Sequence, residues 1–113
     1  MTATSPDLPA TIRTFLTAHS AREVATAART FAADAVVVDD GRTYRGSEGI
    51  LDFLGTAGAE FTYTTELVGA ERVDDEHWVV ANRLEGDFPG GVVELRYRFT
   101  LVGGRIAELV IAP

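Results

Sequence analysis

Along this 113-residue chain the rhythm of apolar and polar positions changes once, near residue 60. Before that point apolar residues recur at helical spacing. Ile12, Phe15, Leu16 and His19 fall at i, i+3, i+4 and i+7, the stripe of an amphipathic helix that starts just after Pro9. Ser20 and Glu23 have the spacing of a capping box. That predicts a second helix directly behind the first, with Val24, Ala28 and Phe31 on its buried side. Residues 35–38 read as a short strand, and "RGSEGILDFL" opens a third helix, capped by Gly46 or Ser47, with Ile50, Phe53 and Leu54 inward. After "GTAGAE" the period becomes two. Residues 61–73, 77–86, 92–102 and 105–112 read as four strands, and Gly103-Gly104 has the form of a two-residue hairpin turn. Residues 1–7 read as a flexible tail and 8–113 as one domain.

The order of elements predicts an α+β fold: three N-terminal helices packed on a strongly curved, mixed but mainly antiparallel sheet. Three helices are too few to cover long strands evenly, so the sheet should curl around a cavity.

Strand 92–102 separates its faces cleanly. Val93, Leu95, Tyr97, Phe99 and Leu101 form an apolar face; Glu94, Arg96, Arg98 and Thr100 form the other. Setting Glu85 opposite Val92 across the "GDFPGG" loop pairs Trp78 with Phe99, Val80 with Tyr97 and Asn82 with Leu95. The same register sets Arg83 against Glu94 as an outer-face ion pair, so it is consistent on both sides of the sheet. Asn82 and the Tyr97 hydroxyl are then polar groups among apolar neighbours, and buried polar groups need partners. In a solid core the partner is loop backbone; in a cavity it is ligand or water. Glu108 falls nominally on the inner face, and a bulge near the strand end would turn it outward. An outer face carrying Arg83, Glu94, Arg96, Arg98, Leu109 and Ile111 mixes charge with aliphatic surface, which predicts a C2 homodimer.

Composition removes several chemistries. There is no cysteine, which excludes disulfides, thiolate metal sites and a cysteine nucleophile. All ten basic residues are arginine, so Schiff-base chemistry through lysine is excluded as well. A net charge of −7 argues against nucleic acid as a partner. No apolar run approaches a membrane span and the start shows no signal peptide, so a cytoplasmic protein with no membrane partner is expected. His19 and His77 are the only histidines and lie far apart in sequence, which gives no metal site; no cofactor motif is present. His19 reads as a helix C-terminal residue facing the dipole, and His77 as a surface residue.

The stretch "DAVVVDDGRTYRG" carries the candidate chemistry. A strand that stops on Asp39-Asp40 reads in two ways: a turn, or an acid at the mouth of a pocket. In an apolar pocket the Asp39 carboxyl would have a raised pKa, suited to moving a proton next to a carbonyl. Asp40 reads as exposed turn chemistry. Candidate ligand contacts are Asn82 and the aromatic residues Phe15, Phe53, Tyr63, Trp78 and Phe99, although most of the aromatic set belongs to the core. The expected ligand is an apolar small molecule.

Helix, helix, "FAADAVVVDDGRTYRG", helix, then strands ending in "LVGGRIAELVI" resembles the nuclear transport factor 2-like superfamily, and within it the SnoaL-like and ketosteroid-isomerase-like small proteins. The resemblance implies a cone-shaped fold that hosts isomerases, cyclases, dehydratases and non-catalytic binders. It implies the general base at Asp39, five residues after Asp34. The isomerase's tyrosine donor on the first helix corresponds to Phe15, which cannot donate. Its acid on the penultimate strand falls near Tyr97, whose hydroxyl could donate the same bond. Two functions follow: an isomerase, cyclase or dehydratase with Asp39 as general acid/base and Tyr97 as donor, or a non-catalytic small-molecule binder.

Overall fold

A computed structural model describes residues 8–56 and 61–113. The expected tail, residues 1–7, lies outside the described residues. Helix α1 spans Ala10–Ser20, α2 spans Val24–Ala28 and α3 spans Gly46–Thr56. The strands are β1 Phe31–Asp39, β2 Arg42–Arg45, β3 Tyr63–Arg72, β4 His77–Gly86, β5 Val92–Val102 and β6 Arg105–Ala112. They form one six-stranded sheet in the order β2-β1-β6-β5-β4-β3. Among the described residues only β1 and β6 pair in parallel. The architecture is the α+β fold of three helices on a curved, mainly antiparallel sheet.

Helix α1 forms because its stripe is apolar: Ile12, Phe15 and Ala18 are buried. It runs through Ser20, so Ser20 cannot cap α2. The break comes instead at Arg22, in the left-handed region with φ 60°, and Glu23 precedes α2 with no side-chain cap. Phe31 opens β1 rather than closing α2, and its ring packs edge-on against Phe15, 5.5 Å between centroids. Asp40 and Gly41 have φ 54° and 76°, the turn in which both central residues are left-handed. That turn folds residues 42–45 back on β1 as an extra strand, β2.

The β4–β5 register is the expected one: Glu85 faces Val92, Trp78 faces Phe99, Val80 faces Tyr97 and Asn82 faces Leu95. Arg83 does face Glu94 across the strands, but its guanidinium turns the other way, to Glu66 on β3 at 3.8 Å and Glu85 at 3.6 Å. Two carboxylates on that side outweigh one on the other. The hairpin closed by Gly103-Gly104 carries an irregularity between Thr100 and Leu101, where Leu101 faces Ile106 but Thr100 faces Glu108. Ala107 is the extra residue. This bulge reverses the strand's facing, so Glu108 is exposed while Leu109 and Ile111 are buried in the core rather than on the outer face.

Candidate functional site

Between α1 and the inner face of β3–β5 lies a cavity of about 780 Å³. Its helical wall is built by Leu16, Thr17, His19, Ser20 and Ala21, with Leu8 and Arg13 beside them. Tyr63, Thr65 and Leu67 of β3, Asn82 of β4 and Tyr97 of β5 form the sheet wall. Alternation explains that wall, since Tyr63, Thr65 and Leu67 are i, i+2, i+4 on one strand face. A smaller recess of about 500 Å³ adjoins it, sharing Ser20, Tyr63 and Thr65, and adds Arg22. The Arg22 guanidinium donates to the Tyr63 hydroxyl at 3.2 Å and lies 5.5 Å from the ring centroid.

Asn82 and Tyr97 are both buried, and both line the cavity. Burial pushes the Tyr97 phenol well above its ordinary pKa; Tyr63 and Asp39 add to the rise, and the nearby Asn82 side chain opposes it. The phenol is therefore neutral and keeps its proton as a donor.

Asp39 shares a row with Tyr97. Across the sheet Asp39 faces Ile111, and Ile111 faces Tyr97, so the carboxylate stands two strands from the phenol on the same inner face. It is half-buried, and burial, with the neighbouring Asp40 carboxylate, raises its pKa. The cavity wall, however, is formed by Tyr97 and Asn82 without Asp39 among the described residues. Asp39 is near enough to Tyr97 to contribute to the rise in the phenol's pKa.

Of the residues expected to contact a ligand, Asn82, Tyr97 and Tyr63 line the cavity. Phe15, Phe53, Trp78 and Phe99 are core instead: each is at most 8% exposed, and they belong to one continuous apolar cluster under the helices. Large rings on the inner face fill the space nearest the sheet's centre, which leaves the void toward β3. The Trp78 indole Nε1 is buried without a hydrogen-bond partner among the described residues.

His19 lies in the last turn of α1, as expected, but its ring faces inward. It does not serve the helix terminus; its ring lies between Phe15 and Phe53, at centroid distances of 5.3 and 5.6 Å and nearly parallel to both. Burial, helped by the Arg22 charge, pushes its pKa down to about 4, so it is a neutral imidazole in the cavity wall at pH 7. The signal was present: His19 occupies the i+7 position of the apolar stripe. His77 is exposed, 2.8 Å from Asp74 in the β3–β4 turn. No cluster of three potential metal ligands occurs among the described residues, and no helix there is long and apolar enough to cross a membrane.

No family model matches the sequence, and neither does any curated protein. Solved structures do. The chain is 36% identical to a candidate polyketide cyclase from Sinorhizobium meliloti, over 94% of this chain and 96% of that one, with a TM-score of 0.86. A protein of ketosteroid isomerase-like fold from Catenulispora acidiphila, in complex with trimethylamine, is 19% identical over 95% of this chain and 87% of its own, TM-score 0.81. A Mycobacterium tuberculosis protein in complex with estradiol-17β-hemisuccinate is 16% identical over 91% and 90% of the two chains, TM-score 0.75.

Proposed function

Because the chain belongs to the nuclear transport factor 2-like superfamily, among its polyketide cyclase-like and ketosteroid isomerase-like members, we propose that it binds an apolar small molecule in the cavity between α1 and β3–β5. One observation carries this reading: a cavity of about 780 Å³ whose sheet wall presents two buried polar residues, Asn82 and Tyr97. A volume in that range suits a molecule of drug or steroid size. The neutral phenol donates to a carbonyl or hydroxyl of the ligand, and the leucines take its apolar body. Relatives of the same fold hold small molecules, a steroid ester among them. Thr17→Trp tests the site, because Thr17 is exposed and lines the cavity, so a large ring there occupies the void without entering the core. A steroid ketone should raise the melting temperature of the wild-type chain and not that of Thr17→Trp. Equal stabilisation of both, or of neither, removes the reading.

A catalytic role is the second reading, favoured by the raised pKa of Asp39 and its place in the Tyr97 row. In that reading the ligand reaches from the cavity past Tyr97 to Asp39, two strands away. Asp39 then takes a proton from the carbon next to the ligand carbonyl while Tyr97 donates to the developing oxyanion, as an isomerase, cyclase or dehydratase requires. Asp39→Asn removes the acceptor at nearly constant volume. Solvent deuterium should enter a bound cyclic ketone in the wild type and not in Asp39→Asn; exchange at equal rates excludes Asp39 as the base. Assembly belongs to the same proposal: the outer sheet face, with Arg83, Glu94, Arg96 and Arg98, is covered by no described helix and pairs two chains as a C2 homodimer, which a mass from light scattering tests.

A further inference from the structure

The chain carries 17 acidic residues and a net charge of −7. Its main cavity and the adjoining recess nevertheless have no Asp or Glu among their described lining residues. The charges they do have are two arginines, Arg13 in the cavity and Arg22 in the recess, and the one histidine there is neutral at pH 7. A concave apolar wall of this kind concentrates positive potential, because low-dielectric walls focus the field of the few charges set in them. It repels a cationic ligand and gives a neutral one nothing extra.

Arg13 is also held in place. Its Nη1 donates to the Leu8 carbonyl at 2.6 Å, fixing a long side chain across the first turn of α1. No carboxylate pairs with Arg13 among the described residues. An arginine already ordered in this way has given up most of its rotamer freedom before any ligand arrives, so an incoming anion meets a guanidinium fork with little further entropy to lose. Arg22 is ordered as well, by its bond to Tyr63 and its position over that ring.

Building on the binding reading above, we propose that the molecule the cavity takes is an organic anion: an apolar body bearing one carboxylate- or sulfonate-type group, which Arg13 meets. The Asn82–Tyr97 pair then addresses a second, neutral polar group of the same molecule.

Two fluorescent probes of the same skeleton test this. 8-Anilinonaphthalene-1-sulfonate carries the anion, and N-phenyl-1-naphthylamine is the same skeleton without it. The wild-type chain should bind the sulfonate more tightly than the amine. Arg13→Gln should weaken the sulfonate about fivefold, the scale of one partly solvated charge pair, and leave the amine within about twofold. Arg13→Lys should restore most of the preference, which a purely structural role in α1 would not. Thr17→Trp should abolish binding of both probes. Wild-type binding of the amine as tight as the sulfonate, or an unchanged ratio in Arg13→Gln, overturns the anion proposal while leaving the cavity itself in place. Binding of both probes unaffected by Thr17→Trp removes the cavity reading, and this proposal with it.

Discussion

His19 makes the stability of this fold depend on pH in a calculable way. The folded chain holds the imidazole between two phenyl rings, with a pKa of about 4 against 6.5 for an unperturbed histidine. Below pH 6.5 the unfolded chain therefore takes up a proton that the folded chain refuses until the pH approaches 4. The unfolded state binds more protons across that window, so stability rises with pH there and is lost on acidification. The two pKa values give a loss of roughly 2 kcal/mol at pH 5 and about 3 kcal/mol at pH 4, relative to neutral pH. Against a typical stability of about 5–15 kcal/mol that is a large share. His19→Phe should keep the aromatic stack and remove the titration. Urea unfolding of both chains at pH 7, 5 and 4 isolates the effect, since every other titrating group is common to the two. The variant should gain about 2 kcal/mol on the wild type between pH 7 and pH 5, and about 3 by pH 4. A different physical outcome is available: two phenyl faces also attract a cation. If that attraction outweighed desolvation, the two stability curves would run parallel or converge, and the neutral imidazole assigned to the cavity wall would be wrong.

Tyr97→Phe removes the hydroxyl that the cavity wall presents beside Asn82; a loss of about 0.5–1.5 kcal/mol in urea unfolding is expected, together with weaker binding of a steroid ketone. Gly86 faces Tyr63 so closely that a Cβ there would lie 2.7 Å from the Tyr63 Cα and nearer still to the Thr62 carbonyl oxygen. Gly86→Ala should therefore force β3 away from β4 at the cavity's edge. A fall in both melting temperature and probe affinity is the expected result, and an unchanged melting temperature would show that the strand ends separate freely.

How far the sequence discloses this molecule depends on whether local parity or three-dimensional crowding decides each feature. The β4–β5 register was readable because a short loop and two alternating strands leave one pairing that buries Trp78, Val80, Tyr97 and Phe99 together. The bulge at Ala107 was foreseeable for Glu108, but its effect on Leu109 and Ile111 requires counting the extra residue through the rest of the strand. Strand β2 was missed because "GRTYRG" is polar and brief, although Asp40-Gly41 is a strong hairpin signal. The cavity's sheet wall was partly visible as Asn82, Tyr97 and Tyr63, polar groups on an apolar face. Its helical wall was not, because nothing in the order of residues says which aromatic rings fill the space and which stop short of it. Phe15, Phe53, Trp78 and Phe99 fill it; His19 is held at the border by two of them.

The position of β6 has a consequence for how the chain is made. It is the last strand in sequence, yet it lies between β1 and β5, joining an early hairpin to a later three-stranded meander. Until β6 arrives, β1 and β5 each present an open edge, and Val37 and Phe99 have no Leu109 beside them. A chain emerging from the ribosome cannot complete this sheet while β6 is still inside the exit tunnel. The sheet can close only after β6 has emerged, and that closure joins β6 to β1, segments far apart in sequence, a slow class of contact. During that interval the two open edges are the surfaces on which nascent copies would pair with each other. The last eight-residue strand thus sets when the cavity comes into existence, since both halves of the molecule are in place only once it has been laid between them.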